Sequence, residues 1–187
     1  PHASMRHHRP PMRQQVPNAM EPSIQIPATV DAFMAELQTI QSSGAKKVAI
    51  LGTRHISLTH QQLIEMLAYA LALTGNSIIT SGAAGTNSAV IKGVQRANPG
   101  NLQVVLPQTM SQQSSESQEL LQALPAVREH PERRLLTLAQ ASQMCNQEII
   151  DSCQQLICFL YHSSTTLMDS VRYAQEKHKV VTSFYLD

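Results

Sequence analysis

A chain of 187 residues with 42% hydrophobic residues is long enough to enclose one continuous core, and it holds no apolar run near the ~20 residues that span a bilayer. Its net charge of +1 comes from the N-terminal stretch: Arg6, Arg9 and Arg13 fall among the first twenty residues without an acid, and removing these three from the 14 basic residues leaves 11 against 13 acidic ones, or −2 for residues 21–187. A globally basic nucleic-acid-binding body is thereby excluded, and any contact with a phosphate backbone must rest on a local cluster.

Residues 1–4 precede Met5 in the manner of a cloning scar, and residues 1–28 read as a disordered tail broken by Pro1, Pro10, Pro11 and Pro17. No secretory h-region is present, so a soluble, cytoplasmic protein is expected. Cys145, Cys153 and Cys158 are odd in number and match no zinc spacing; they read as reduced core thiols, with no metal site.

Residues 29–187 read as one domain. A leading amphipathic helix is expected over 29–41, with Val30, Phe33, Met34, Leu37 and Ile40 on one face and Thr29 as cap. An apolar strand over 47–51 runs into Gly52, Thr53 and Arg54. Thr59 to Gln62 then carries a capping-box pattern that opens a helix ending at Gly75. Ile78, Ile79 and Thr80 form a β-branched strand, Ser81, Gly82, Ala83, Ala84 and Gly85 permit a tight turn, and Thr86 or Asn87 is placed to cap a helix over 87–97. A third strand covers 102–106. The glutamine- and serine-rich segment 108–117 reads as a mobile or solvated loop, with a short helix over 116–124 beyond it. Thr137 and Gln140 form a second capping box at the head of a helix over 137–152. A buried strand at 156–161, a polar turn at 162–165, a helix at 166–177 with Asp169 at its third position, and a strand at 180–185 complete the order.

Strands alternating with helices at this spacing imply an α/β fold, a Rossmann-like, doubly wound parallel sheet of about five strands with helices on both faces. All strand carboxyl ends then open on one edge, where the turns at 52–54, 81–87 and 162–166 converge. Each turn is followed by a helix N-terminus, whose free N–H groups and dipole favour an anion. Arg54 can fork onto a phosphate there, Gly82 and Gly85 allow close backbone approach, and Thr86 and Asn87 add side-chain bonds. Lys92 and Arg96 lie along the helix that leaves the glycine turn. Asn146 is placed to bond a base or ribose across the crevice. His55, His60 and His162 read as solvent-edge histidines. The apolar run 68–73 needs cover on more than one side, by a second copy of the chain or by the leading helix.

The blocks Val48-Ala-Ile-Leu-Gly52-Thr53-Arg54 and Thr80-Ser81-Gly82-Ala83-Ala84-Gly85-Thr86-Asn87 resemble the "IVGSR … SGLARGID" pair of the DNA-processing protein A, or DNA recombination-mediator protein A, family. Cys145-Asn146-Gln147-Glu148-Ile149-Ile150 resembles its "RNRIIA" segment, and Ser164-Thr165-Thr166-Leu167 its "SGSL" turn. The glycine turn is one residue shorter than the family's and lacks its arginine. Asn87 stands for aspartate, Thr165 for glycine and Cys145 for arginine. The resemblance implies a Rossmann-like fold shared with the "lonely guy" phosphoribohydrolases and molybdenum-cofactor carriers. It also implies a non-enzymatic protein that binds a nucleotide or single-stranded DNA through Gly52, Thr53, Arg54, Ser81, Gly82, Ala83, Gly85, Thr86, Asn87, Asn146, Ser164, Thr165 and Thr166. No cofactor is expected to be required, a bound nucleotide being the one alternative; a recombinase or other protein is the implied partner, and a homodimer the expected assembly. The alternatives are a phosphoribohydrolase, whose "PGGxGTxxE" motif would place its threonine at Thr166 and its catalytic acid at Asp169, and a nucleotide-sensing carrier that acts through a protein partner.

Overall fold

Each apolar run read as a strand becomes one strand of a parallel sheet. The structure, a computed structural model, describes residues 25–27, 31, 32, 34, 35 and 46–187. Its elements are β1 (Gln25–Pro27), β2 (Lys47–Gly52), α1 (Leu58–Leu73), β3 (Ser77–Ser81), α2 (Thr86–Ala97), β4 (Leu102–Val105), α3 (Ser115–Gln122), β5 (Val127–Arg128), α4 (Leu138–Asp151), β6 (Gln155–Leu160), α5 (Thr165–Glu176) and β7 (Val180–Tyr185). They form a seven-stranded sheet in the order β1-β7-β6-β2-β3-β4-β5, with every pair parallel. The two strands beyond the expected five are the short edge strands β1 and β5, too brief to show as apolar runs. β1 falls in the segment read as a disordered tail; the rest of that tail lies outside the described residues. So does most of the leading helix expected over 29–41, of which residues 31, 32, 34 and 35 are described as helical and Ala32 is buried.

The two-residue period of the strands divides the core. Val48 and Ile50 point to one face, where they meet Ile64, Leu67 and Leu71 of α1 and Val90, Ile91 and Val94 of α2. Ala49 and Leu51 point to the other, against Cys145, Ile149 and Ile150 of α4 and Ala174 of α5. Phe159 and Phe184 stack with ring centroids 5.0 Å apart. Each such large side chain contributes about 1.5–3 kcal/mol on burial, so central strands buried on both faces hold the turns at their ends in fixed positions. Within the run 68–73, Ala68, Leu71 and Ala72 are buried, α1 lies against α2, and Ala32 of the leading helix joins the same core cluster, while Leu73 stays 58% exposed.

The helix ends differ from expectation in three places. Ser57 caps α1 by accepting from the His60 N–H at 3.2 Å, because the chain is already extended there; Thr59 lies inside the first turn and its capping box is not used. Gly85, at φ 71°, occupies the N-cap position of α2, and Thr86 and Asn87 are buried in the helix it opens. Thr165 begins α5 one residue early, which makes Asp169 its fifth residue and removes it from the capping turn. The box at Thr137 and Gln140 forms as read. The segment 108–117 is fastened: the buried Gln108 side chain donates to the Arg133 and Leu136 carbonyl oxygens at 3.1 and 3.0 Å, and the Met110 N–H donates to Glu129 at 2.6 Å. Residues 111, 112 and 114–116 are exposed, as the composition suggested, but the Gln108 amide spans two backbone carbonyls of a neighbouring loop.

Candidate functional site

The turns after β2, β3 and β6 close around a cleft of about 570 Å³ at the carboxyl edge of the sheet. The β2 end is fixed first. The Thr53 N–H donates to the Phe159 carbonyl at 2.9 Å, and the Thr86 N–H donates to the Thr53 carbonyl at 3.1 Å. Any Cβ on Gly52 would lie 2.6 Å from both the Phe159 oxygen and the Thr86 side chain, so β2, β6 and α2 meet here only because the residue is glycine. At Gly85 a Cβ would strike the Arg54 backbone, and its positive φ disfavours other residues.

Of the residues anticipated from sequence, Gly52, Thr53, Arg54, Ser81, Ala83, Asn87, Asn146, Ser164, Thr165 and Thr166 line the cleft together. Gly82, Gly85 and Thr86 do not. They support it from behind: a Cβ on Gly82 would meet the Leu106 side chain, and Thr86 is fully buried beneath Gly52. Asp169 also lies outside the lining; it is exposed and pairs with Arg172 at 3.3 Å. Neither Lys92 nor Arg96 reaches the cleft, and Arg96 is paired with Glu65 at 2.6 Å and lies over the Tyr69 ring.

Charge at the rim is supplied by Arg54, which is exposed and has no acidic partner among the described residues. The first turns of α2 and α5 reach the lining through Asn87 and through Thr165 and Thr166; the Thr86 and Thr165 N–H groups are already given to the Thr53 and Ser163 carbonyls, so it is the positive dipole ends that add potential there. The floor is neutral: Asn87 and Asn146 are only 4% and 9% exposed. Behind it, burial holds the Cys145 thiol up at about 12, outweighing a hydrogen bond from Ser81, so that sulfur is a packed, protonated group. Among the described residues no three His, Cys, Asp or Glu side chains are grouped to hold a metal ion.

Sequence reasoning missed the apolar wall and a brace. Leu138, Ser142 and Asn146 recur at i, i+4 and i+8 on α4 and form one stripe facing the cleft, joined by Ala139 and by Leu167 of α5. That spacing was available as a signal, because an apolar stripe that turns polar marks a face opening on solvent. The brace is Tyr161, whose hydroxyl donates to the His55 carbonyl at 3.0 Å and whose N–H donates to Ser164 Oγ at 3.3 Å. His162, read as a solvent-edge histidine, is exposed as read, and it stacks on Tyr185 at 4.0 Å and bonds Asp187 at 2.8 Å.

A parallel sheet with helices on both faces and a cleft at the carboxyl ends of its central strands defines a Rossmann-like α/β fold. More narrowly, the fold is DprA-like, shared with solved structures of DNA processing protein A. The structure from Helicobacter pylori superposes with a TM-score of 0.62 at 20% identity, covering 78% of this chain and 67% of that one. The Streptococcus pneumoniae structure gives 0.60 at 16% identity, over 77% of this chain and 51% of that one. This chain therefore spans about half the length of the S. pneumoniae protein. The H. pylori protein is described for a single-stranded DNA binding mode. No protein-family model and no curated protein sequence matches the chain. No helix among the described residues is long and apolar enough to cross a membrane.

Proposed function

We propose that the protein binds a phosphate-bearing ligand, a nucleotide or a single strand of DNA, in this cleft, and acts as a binding protein of the recombination-mediator kind. The observation that carries the proposal is Arg54: an exposed guanidinium without an acidic partner among the described residues, on a cleft whose lining also takes in Asn87 of the first turn of α2 and Thr165 and Thr166 of the first turn of α5. An arginine with no acidic partner among the described residues, at the mouth of such a cleft, attracts an anion, and its planar fork matches a phosphate. The likeness to DNA processing protein A supports a single strand as that anion's carrier.

The test is a fluorescence-anisotropy titration with a labelled single-stranded oligonucleotide at two salt concentrations, run beside a mononucleotide. Contact with several phosphates gives an affinity that falls steeply with salt, whereas a pocket for one phosphate gives a shallow slope. Binding of neither ligand at low salt would overturn the proposal.

A further inference from the structure

The two buried asparagines on the cleft floor are held in defined orientations by their neighbours. Asn146 Nδ2 donates to Ser170 Oγ at 3.0 Å, and the single proton of that hydroxyl is already given to the Thr166 carbonyl at 2.9 Å. Ser170 can therefore only accept from Asn146, which leaves the Asn146 carbonyl oxygen facing the cleft. The same reasoning holds at Asn87. Thr80 Oγ lies 2.7 Å from the Ile50 carbonyl, which can only accept and so takes the hydroxyl proton. Asn87 Oδ1 stands 3.2 Å from this hydroxyl, whose one proton is already given to Ile50; rotating the amide by a half-turn presents N–H to Thr80 instead and turns the Asn87 carbonyl toward the cleft. Both side chains are more than nine-tenths buried, and neither cleft-facing amide atom has a hydrogen-bond partner among the described residues.

Two acceptors on the floor, the apolar side chains of Leu138, Ala139 and Leu167 on the walls, and a cation at the rim match one kind of object. A flat group with apolar faces, a donor edge and a charged tether is an unpaired nucleobase carrying an exocyclic amine. We infer that the cleft takes such a base edge-first, its amino group donating to Asn87 and Asn146 while its phosphate stays at Arg54. This rests on the phosphate-binding reading above and narrows it. In a base pair one of the two amine hydrogens is committed to the partner strand, so a duplex cannot give both to the two floor acceptors.

Cytosine and uracil separate the inference from its parent, because both stack weakly and differ along one edge: cytosine donates from its N4 amine beside an acceptor N3, whereas uracil has an acceptor oxygen at position 4 and only a single ring N3–H to donate. Oligodeoxycytidine of about ten nucleotides is expected to bind on the order of tenfold more tightly than oligodeoxyuridine of equal length by fluorescence anisotropy. The Asn146→Leu variant should bring the two affinities together by weakening only the cytidine oligomer. Equal binding of both oligomers by the unaltered protein overturns the inference and leaves phosphate binding standing. A preference that survives in Asn146→Leu likewise removes the floor from recognition. Binding of neither oligomer removes the phosphate reading and this one together.

Discussion

The Tyr161 hydroxyl donates to the His55 carbonyl oxygen at 3.0 Å, a contact that ties the turn after β6 to the turn after β2 across 106 positions of chain. Through it, Arg54 is held at a set distance from the hydroxyl-rich start of α5. Tyr161→Phe keeps the ring and removes the donor, so the fold should survive with a stability loss of about 0.5–1.5 kcal/mol. Ligand affinity should fall with it, because the Arg54 turn loses its tether. Chemical denaturation and anisotropy on the same preparation check both; intact affinity would show that the turn is held by Thr53 and Thr86 alone.

Arg54→Ala should weaken binding of a phosphate-bearing ligand by about 1.5–3 kcal/mol, the range for a charge-assisted bond, and leave thermal stability unchanged because the guanidinium has no acidic partner to lose among the described residues. Arg54→Lys should recover only part of the affinity, since an ammonium cannot form the planar fork. Titration calorimetry with circular dichroism melts separates the two effects.

Gly85→Ala should be more damaging than either. The added methyl would meet the Arg54 backbone, and the positive φ strains any residue with a Cβ by about 1–3 kcal/mol before the collision is counted. We expect a lowered melting midpoint together with lost binding. Gly100, near which only the Asn98 side chain lies, serves as a control that accepts alanine with little change.

Acid should loosen the corner where Arg128, His130 and Arg133 converge on Glu148. Partial burial raises the Glu148 carboxyl, but hydrogen bonds from Arg128 and Arg133 outweigh it and hold the group below the ordinary glutamate range. A depressed carboxylate stabilises the fold at pH above its unfolded value, and that contribution is lost as pH falls through the folded one. Melting midpoints should thus decline below the usual carboxylate range. Glu148→Gln should lower the midpoint near neutrality and flatten the decline; an unchanged slope would assign the acid sensitivity elsewhere, for example to the His162–Asp187 pair, whose carboxyl is also lowered.

Asp169→Asn should leave nucleotide binding unchanged, because that carboxylate pairs with Arg172 outside the cleft lining. Incubation with AMP or GMP should release no free base, as judged by chromatography. Release that disappears in Asp169→Asn would move the protein to the phosphoribohydrolase reading.

Much of the fold was legible because its signals are local. The β-branched run at Ile78–Thr80 and the Thr137–Gln140 box each carry their own geometry within a few residues, and both appear where the sequence places them. The convergence of three polar turns also followed from strand order alone. What stayed hidden depends on partners distant in sequence. Nothing local distinguishes Thr59, inside a helix, from Ser57, which caps it. Gly82, Gly85 and Thr86 read as ligand contacts, yet their small size serves packing against Leu106, Arg54 and Gly52. Residues 111, 112 and 114–116 are exposed as the composition suggested, but nothing local to Gln108 announces the backbone carbonyls it finds at Arg133 and Leu136.

The position of β2 at the middle of the sheet bears on how the chain reaches this fold. One flank, β3, is supplied about thirty residues later, but the other, β6, pairs Val48 with Gln155, and Gln154 in turn anchors Lys47 across 107 positions. Until that late strand arrives, β2 presents an unpaired apolar edge. Loop closure over such a span is slow, and emerging chains reveal their strands in order. During synthesis, then, the half comprising β2, β3, β4, α1 and α2 can assemble first, with its open side exposed until β6 leaves the ribosome. The cleft, whose walls come from both halves, is among the last features to exist.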